Sequence, residues 1–203
     1  DVDGKNWFGT GAGLVSLDAN DQVTIYTAED GIPGYKVSAF YKVGPNEMYI
    51  GGNSGVSLYK DGEITRIGTD DFIEVGTVRE FIMFKDALLF ATNLGLFQYK
   101  DGVITPYKDI VTLTYCIAKD RFENIWFGTE EGLFRIKNEK IEQVELRSNP
   151  GSNYINFMSA RDGKLFVGSN SGLFVLSNLN KKNPSIKRYG LSEGIVDLET
   201  NLG

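Results

Sequence analysis

The chain has 203 residues, of which 41% are hydrophobic and 24% charged, with a formal net charge of −6. That is enough apolar material for one large domain, or part of a larger one, and it excludes wholesale disorder. The acidic balance disfavours nucleic acid and anionic membrane as partners, and the complete absence of histidine excludes Ser-His-Asp and Cys-His catalysis, histidine-ligated metals and a phosphoaccepting histidine.

Taken from the start, Trp7-Phe8-Gly9-Thr10-Gly11-Ala12-Gly13-Leu14 is the first copy of a motif that returns at 49–56, 89–96, 126–133 and 166–173. The final glycines of the copies are Gly13, Gly55, Gly95, Gly132 and Gly172. A unit of about 40 residues containing several short strands is the mark of propeller blades. The second unit predicts strands over 36–43, 47–51, 56–60 and 63–67, with Asp61-Gly62 as a type I′ hairpin turn that recurs at Asp101-Gly102. No stretch carries a sustained helical period, so no helix is predicted.

Within the motif, the aromatic or aliphatic pair belongs to the second strand of a blade, where alternate side chains face the two neighbouring blades. The next residue (Gly9, Gly51, Ala91, Gly128, Gly168) is small so that neighbouring backbone can approach, and the last glycine gives the turn its positive φ. Cys116, the only cysteine, sits in an apolar run and reads as a small buried hydrophobe. Asp1, Asp120 and Asp162 precede the second strand and read as turn carboxylates that cap local N–H groups.

The segment 1–7 aligns without gaps to 120–126, so the first unit lacks only its first strand. A first strand is expected again after Gly194. Two geometries fit: the terminal strand closes a five-bladed ring, or the chain is an in-phase slice of a larger propeller. The predicted fold is therefore all-β, a β-propeller of five four-stranded repeats over residues 1–203.

The Asp1–Leu14 and Asp120–Leu133 copies, the run Tyr26 to Pro33 and the segment Tyr189 to Gly194 resemble two-component regulator propeller repeats. The resemblance covers essentially the whole chain, with the third unit degenerate at Leu89 and Ala91. It implies a periplasmic sensor module of a hybrid two-component regulator, with an oligosaccharide as ligand and any kinase activity in other domains. It also implies homodimerisation through the longer sensor.

The ligand is expected on the face where blade-joining loops gather: 27–35, 68–77, 108–113, 147–154 and 189–195. Near the starts of the inner strands lie Tyr35, Lys36, Arg79, Glu80, Tyr115, Tyr154, Asn156 and Asp197. Aromatic faces stack on sugar rings, and Arg and Asn supply hydrogen bonds to hydroxyl or acidic groups. The same residue types are also ordinary at strand starts. No catalytic residue, metal site or cofactor is assigned. Two other readings stand beside the sensor: a protein-interaction or dimerisation scaffold, and a glycan-cleaving enzyme using carboxylates such as Glu80, Asp197 and Glu199.

Overall fold

A computed structural model describes residues 1–68, 74–146 and 154–195. The strands form five antiparallel sheets, one per sequence repeat. The first has three strands: β1 (Asn6–Thr10), β2 (Gly13–Leu17) and β3 (Val23–Tyr26). The second has β4 (Val37–Gly44), β5 (Glu47–Gly52), β6 (Gly55–Lys60) and β7 (Glu63–Arg66), and the third β8 (Val78–Phe84), β9 (Ala87–Thr92), β10 (Gly95–Lys100) and β11 (Val103–Pro106). The fourth holds β12 (Thr114–Lys119), β13 (Ile125–Thr129), β14 (Gly132–Lys137) and β15 (Lys140–Val144). The fifth holds β16 (Ile155–Arg161), β17 (Lys164–Ser169), β18 (Gly172–Ser177) and β19 (Ser185–Tyr189).

Each four-stranded sheet is an up-and-down meander in sequence order, and the predicted strands of the second repeat agree with the observed ones within a residue at each end. Asp61-Gly62 and Asp101-Gly102 have positive φ at both positions, as a type I′ turn requires. Among the described residues the only helical segments are two single 3-10 turns, Ala28–Asp30 and Leu191–Glu193.

Residues 1–111 and 112–203 form two compact units. In the first unit, apolar layers lie between successive sheets. Trp7 and Leu14 of the first sheet meet Met48, Ile50 and Tyr59 of the second, with the Trp7 and Tyr59 rings 4.7 Å apart. Val56 and Tyr49 of the second sheet meet Leu88, Phe90 and Phe97 of the third. In the second unit, Trp126 and Leu133 pack with Leu165, Val167, Phe174 and Leu176. In the second sheet, Ile50 and Tyr49 therefore face opposite neighbours, as the period of two predicted.

The repeated small residues earn their place here by close packing. A Cβ on Gly9 would lie 2.5 Å from the Val37 carbonyl oxygen, a backbone approach of the kind expected. At Gly51 and Gly128 the approaching atoms belong instead to side chains of the next sheet, Val78 and Phe81 in one case and Ile155 in the other. The final motif glycines all have positive φ. The Thr or Ser four residues into the motif completes the same turn. Thr10, Thr92, Thr129 and Ser169 each donate to the carbonyl of that glycine and accept from the residue before it.

Candidate functional site

The first strand of every complete repeat carries a β-bulge at the same place. Register slips by one residue at Ser38 in β4, Arg79 in β8, Tyr115 in β12 and Asn156 in β16, opposite the motif glycine or Ala91. A bulge leaves its extra residue out of the ladder and re-aims the side chain. Three of the predicted binding residues, Arg79, Tyr115 and Asn156, are these bulged residues. Ser38 was missed; its hydroxyl donates to the Val78 carbonyl at 2.6 Å. The signal that finds it is the column itself, a polar residue following Val37, Val78, Thr114 and Ile155. Val196-Asp197-Leu198 repeats that pattern in sequence, but Asp197 and Glu199 lie outside the described residues.

Just before the β4 and β8 bulges, the blade-joining chain is stapled by a side-chain amide of a motif turn. Asn53 Oδ1 accepts from the backbone N–H groups of Tyr35 (3.0 Å) and Lys36 (2.9 Å), and Asn93 Oδ1 accepts from Thr77 (2.6 Å). The joining segments that carry the family resemblance contain the two 3-10 turns, each closed by a carboxylate reaching back: Asp30 to the Thr27 N–H at 2.7 Å and Glu193 to the Gly190 N–H at 2.6 Å. Hydrogen bonds from Ser192 and then from Gly190 hold the Glu193 carboxyl below its usual range. Gly31 and Gly194 end these turns in the left-handed region.

In the first unit, Tyr35 and Lys36 are exposed on the stapled segment, while Arg79 and Glu80 are half-buried side by side at the β8 bulge. In the second unit, the half-buried Tyr115 and exposed Tyr154 come together, their ring centroids 6.0 Å apart at an interplanar angle of 52°, with Asn156 two residues further on. Two tilted tyrosine rings, one of them packed on the apolar core, suit a ligand with an apolar face. The Arg79-Glu80 pair offers a donor fork and an acceptor. Cys116 is buried as expected, its thiol 3.7 Å from the Ile155 carbonyl oxygen.

A cavity lies elsewhere in the second unit and was not foreseen. A 640 Å³ cavity opens between β15 and the chain entering β19, lined by Glu142, Glu145, Lys182, Asn183, Pro184 and Ile186 among others. It exists because the β18–β19 connection spans residues 178–184, where the equivalent hairpins of the second, third and fourth sheets are two residues long. Fully buried Arg135 anchors that connection, donating to the carbonyls of Leu179 (3.0 Å), Lys181 (2.9 Å) and Lys182 (2.9 Å). It also pairs with Glu142 at 2.6 Å and lies over the Trp126 ring. The hydrogen bond from Arg135 holds the Glu142 carboxyl below its usual range.

No family model and no curated protein matches the chain. Solved structures do. The extracellular domain of BT4673, a proposed one-component system of B. thetaiotaomicron, superposes with a TM-score of 0.75 at 20% identity, over 93% of this chain and 26% of that one. The extracellular domain of the proposed hybrid two-component system BT3049, from the same organism, gives 0.72 at 18% identity, over 92% and 27%. The fold is a β-propeller. The same fold appears in virginiamycin B lyase from Staphylococcus aureus, with a TM-score of 0.70 at 17% identity, over 95% of this chain and 68% of the enzyme. The chain thus spans about a quarter of the length of these two extracellular domains. No helix among the described residues is long and apolar enough to cross a membrane.

Proposed function

We propose that this chain is a non-catalytic ligand-sensing propeller module of a two-component type regulator, working in the periplasm and taking an oligosaccharide at the bulge residues and the stapled segments before them. The observation that carries this reading is the bulge column. The scaffold around it repeats from unit to unit, while the bulged residue itself changes from Ser38 to Arg79, Tyr115 and Asn156. Variation confined to one re-aimed position per repeat is where specificity can reside. Likeness in fold to two sensor extracellular domains supports the same reading.

The lyase likeness does not favour an enzyme. That structure was determined as a catalytically inactive histidine variant, and this chain contains no histidine.

Thermal unfolding against neutral, sulfated and uronic-acid oligosaccharides tests the proposal. A ligand at about 100 times its dissociation constant adds about 2.7 kcal/mol to the folded state. The shift is expected for one sugar class and is lost, with the unliganded midpoint kept, on whichever of Tyr115→Ala and Arg79→Ala lies in the unit that takes the ligand. A shift that both variants retain moves the site elsewhere, and turnover of a glycoside by the wild type overturns the non-catalytic reading.

A further inference from the structure

We propose that the cavity beside β15 is a docking site for an extended peptide of another polypeptide, which adds to β15 as a fifth strand of the fourth sheet. Among the described residues β15 pairs only with β14. Their hairpin turns at Asn138-Glu139, both at positive φ, a type I′ turn that makes Lys137 and Lys140 a hydrogen-bonded pair. Alternation then directs the N–H and C=O of Glu142 and Val144 toward β14, and those of Ile141 and Gln143 outward. β15 has five residues in unbroken register, and neither a proline nor a bulge blunts its outer edge.

The cavity borders this edge. All four consecutive residues 142–145 line it, and because successive side chains of a strand leave opposite faces, a space that touches all of them wraps the strand's rim. Its 640 Å³ falls within the range of about 300–1,000 Å³ for ligand sites. Two departures from the repeat build it: the long 178–184 connection, and the fully buried Arg135 that anchors it where the other copies have Ser16, Leu58, Gln98 and Val175. No aromatic side chain is among the described lining residues, so the ring faces on which a sugar stacks are missing, whereas a strand edge recognises peptide backbone.

The walls determine what the peptide carries. Residues of an antiparallel strand on β15 stand directly opposite those of β15, with Cβ atoms about 4.5–5.5 Å apart. Val144 is buried, and Pro184 and Ile186 line the same cavity, so the residue opposite Val144 is aliphatic. Arg135 holds the Glu142 carboxylate at 2.6 Å and Lys182 also acts on it, so the residue opposite Glu142 is uncharged. The carboxylate left to a partner is the exposed Glu145, and the residue opposite it is basic. The segment that fits is therefore a basic residue followed by an aliphatic one and then by small polar ones.

An NMR titration of the 203-residue chain with the peptide acetyl-Lys-Val-Thr-Ser-Val-amide tests the proposal. Read antiparallel, its residues fall opposite Glu145, Val144, Gln143, Glu142 and Ile141 in turn. The threonine N–H points at the Gln143 carbonyl, and its N-methylation is expected to weaken binding about tenfold, the worth of one hydrogen bond. The serine N–H points away from β15, and its N-methylation is expected to leave binding unchanged. Glu145→Lys, at an exposed position, is expected to keep the melting midpoint and to make the site prefer the peptide that begins with glutamate over the one that begins with lysine. Absence of binding at millimolar peptide overturns the proposal. So do equal effects of the two methyl groups, which show that no strand is added in this register, and an unchanged preference in Glu145→Lys, which places the peptide on another edge.

Discussion

The segments Asp1–Leu14 and Asp120–Leu133 align without a gap, yet they are held in different ways. In the second segment Asp120 is buried and fully engaged. Its Oδ1 accepts from the N–H groups of Phe122 (2.8 Å) and Asn124 (3.0 Å), and its Oδ2 from the Asn124 amide and the Trp126 indole, both at 2.8 Å. In the first segment the Trp7 indole donates to the Val2 carbonyl instead, and the turn is a tight one with positive φ at Asp3 and Gly4. Asp3, not Asp1, carries the engaged carboxylate, accepting from the Tyr59 hydroxyl at 2.5 Å; that bond holds its carboxyl below the usual range, and burial pushes the Tyr59 hydroxyl up. β13 is buried along its whole length between two partner strands, with Phe127 2% exposed, while β1 has one partner and an exposed Phe8. One motif, then, encodes a strand and its turn, while the carboxylate ahead of it is engaged differently from copy to copy.

The largest expected break in that comparison comes at Arg135, whose position in the first repeat is Ser16. Arg135→Ala removes a large, fully buried side chain and strips three carbonyls of their donor, and urea unfolding is expected to lose roughly 3–5 kcal/mol. Asp120→Ala leaves the buried Asn124 amide and the Trp126 indole without an acceptor. It is expected to cost about 3 kcal/mol and to red-shift tryptophan emission, whereas Asp1→Ala stays within about 0.5 kcal/mol. Gly128→Ala places a Cβ 2.5 Å from Ile155 and 2.8 Å from the Cys116 sulfur. Overpacking of that kind costs about 1–3 kcal/mol, visible as a lower urea midpoint at unchanged slope.

The smallest effect is one of pH. The Glu142 carboxyl titrates below its ordinary 4.5 when folded, so its contribution is present above that value and is lost as pH falls through the lowered folded value. With the side chain 38% exposed, screening keeps the contribution below about 1 kcal/mol. Glu142→Gln is expected to flatten the acid limb of a stability-against-pH curve by that amount.

The strands, the hairpin turns and the positive φ of the last motif glycine were legible because each depends on local chemistry that recurs in every copy, whereas the first glycine meets backbone at Gly9 and side chains at Gly51 and Gly128. The aspartate turn was legible only at Asp120. Asp162 instead takes the first central position of a two-residue turn at φ +52°, its carboxylate exposed and 3.5 Å from Arg161. Arg135 was illegible for a different reason. Alone in its strand it reads as an outward-facing cation, and only the long 178–184 connection folding back over β14 turns that site into the interior. Arg79, Tyr115 and Asn156 were selected as residues near strand starts, but a bulge is a mismatch between two strands, so the feature linking them appears only once the partner strand is known.

The staple at Asn53 and Asn93 has a consequence for how such a chain diversifies. In these two copies the turn that closes the motif also carries the amide that pins the incoming chain, so the joint is fixed whatever the length and composition of the joining segment. The side chain left outside the ladder at the bulge that follows can then change without loosening the joint before it.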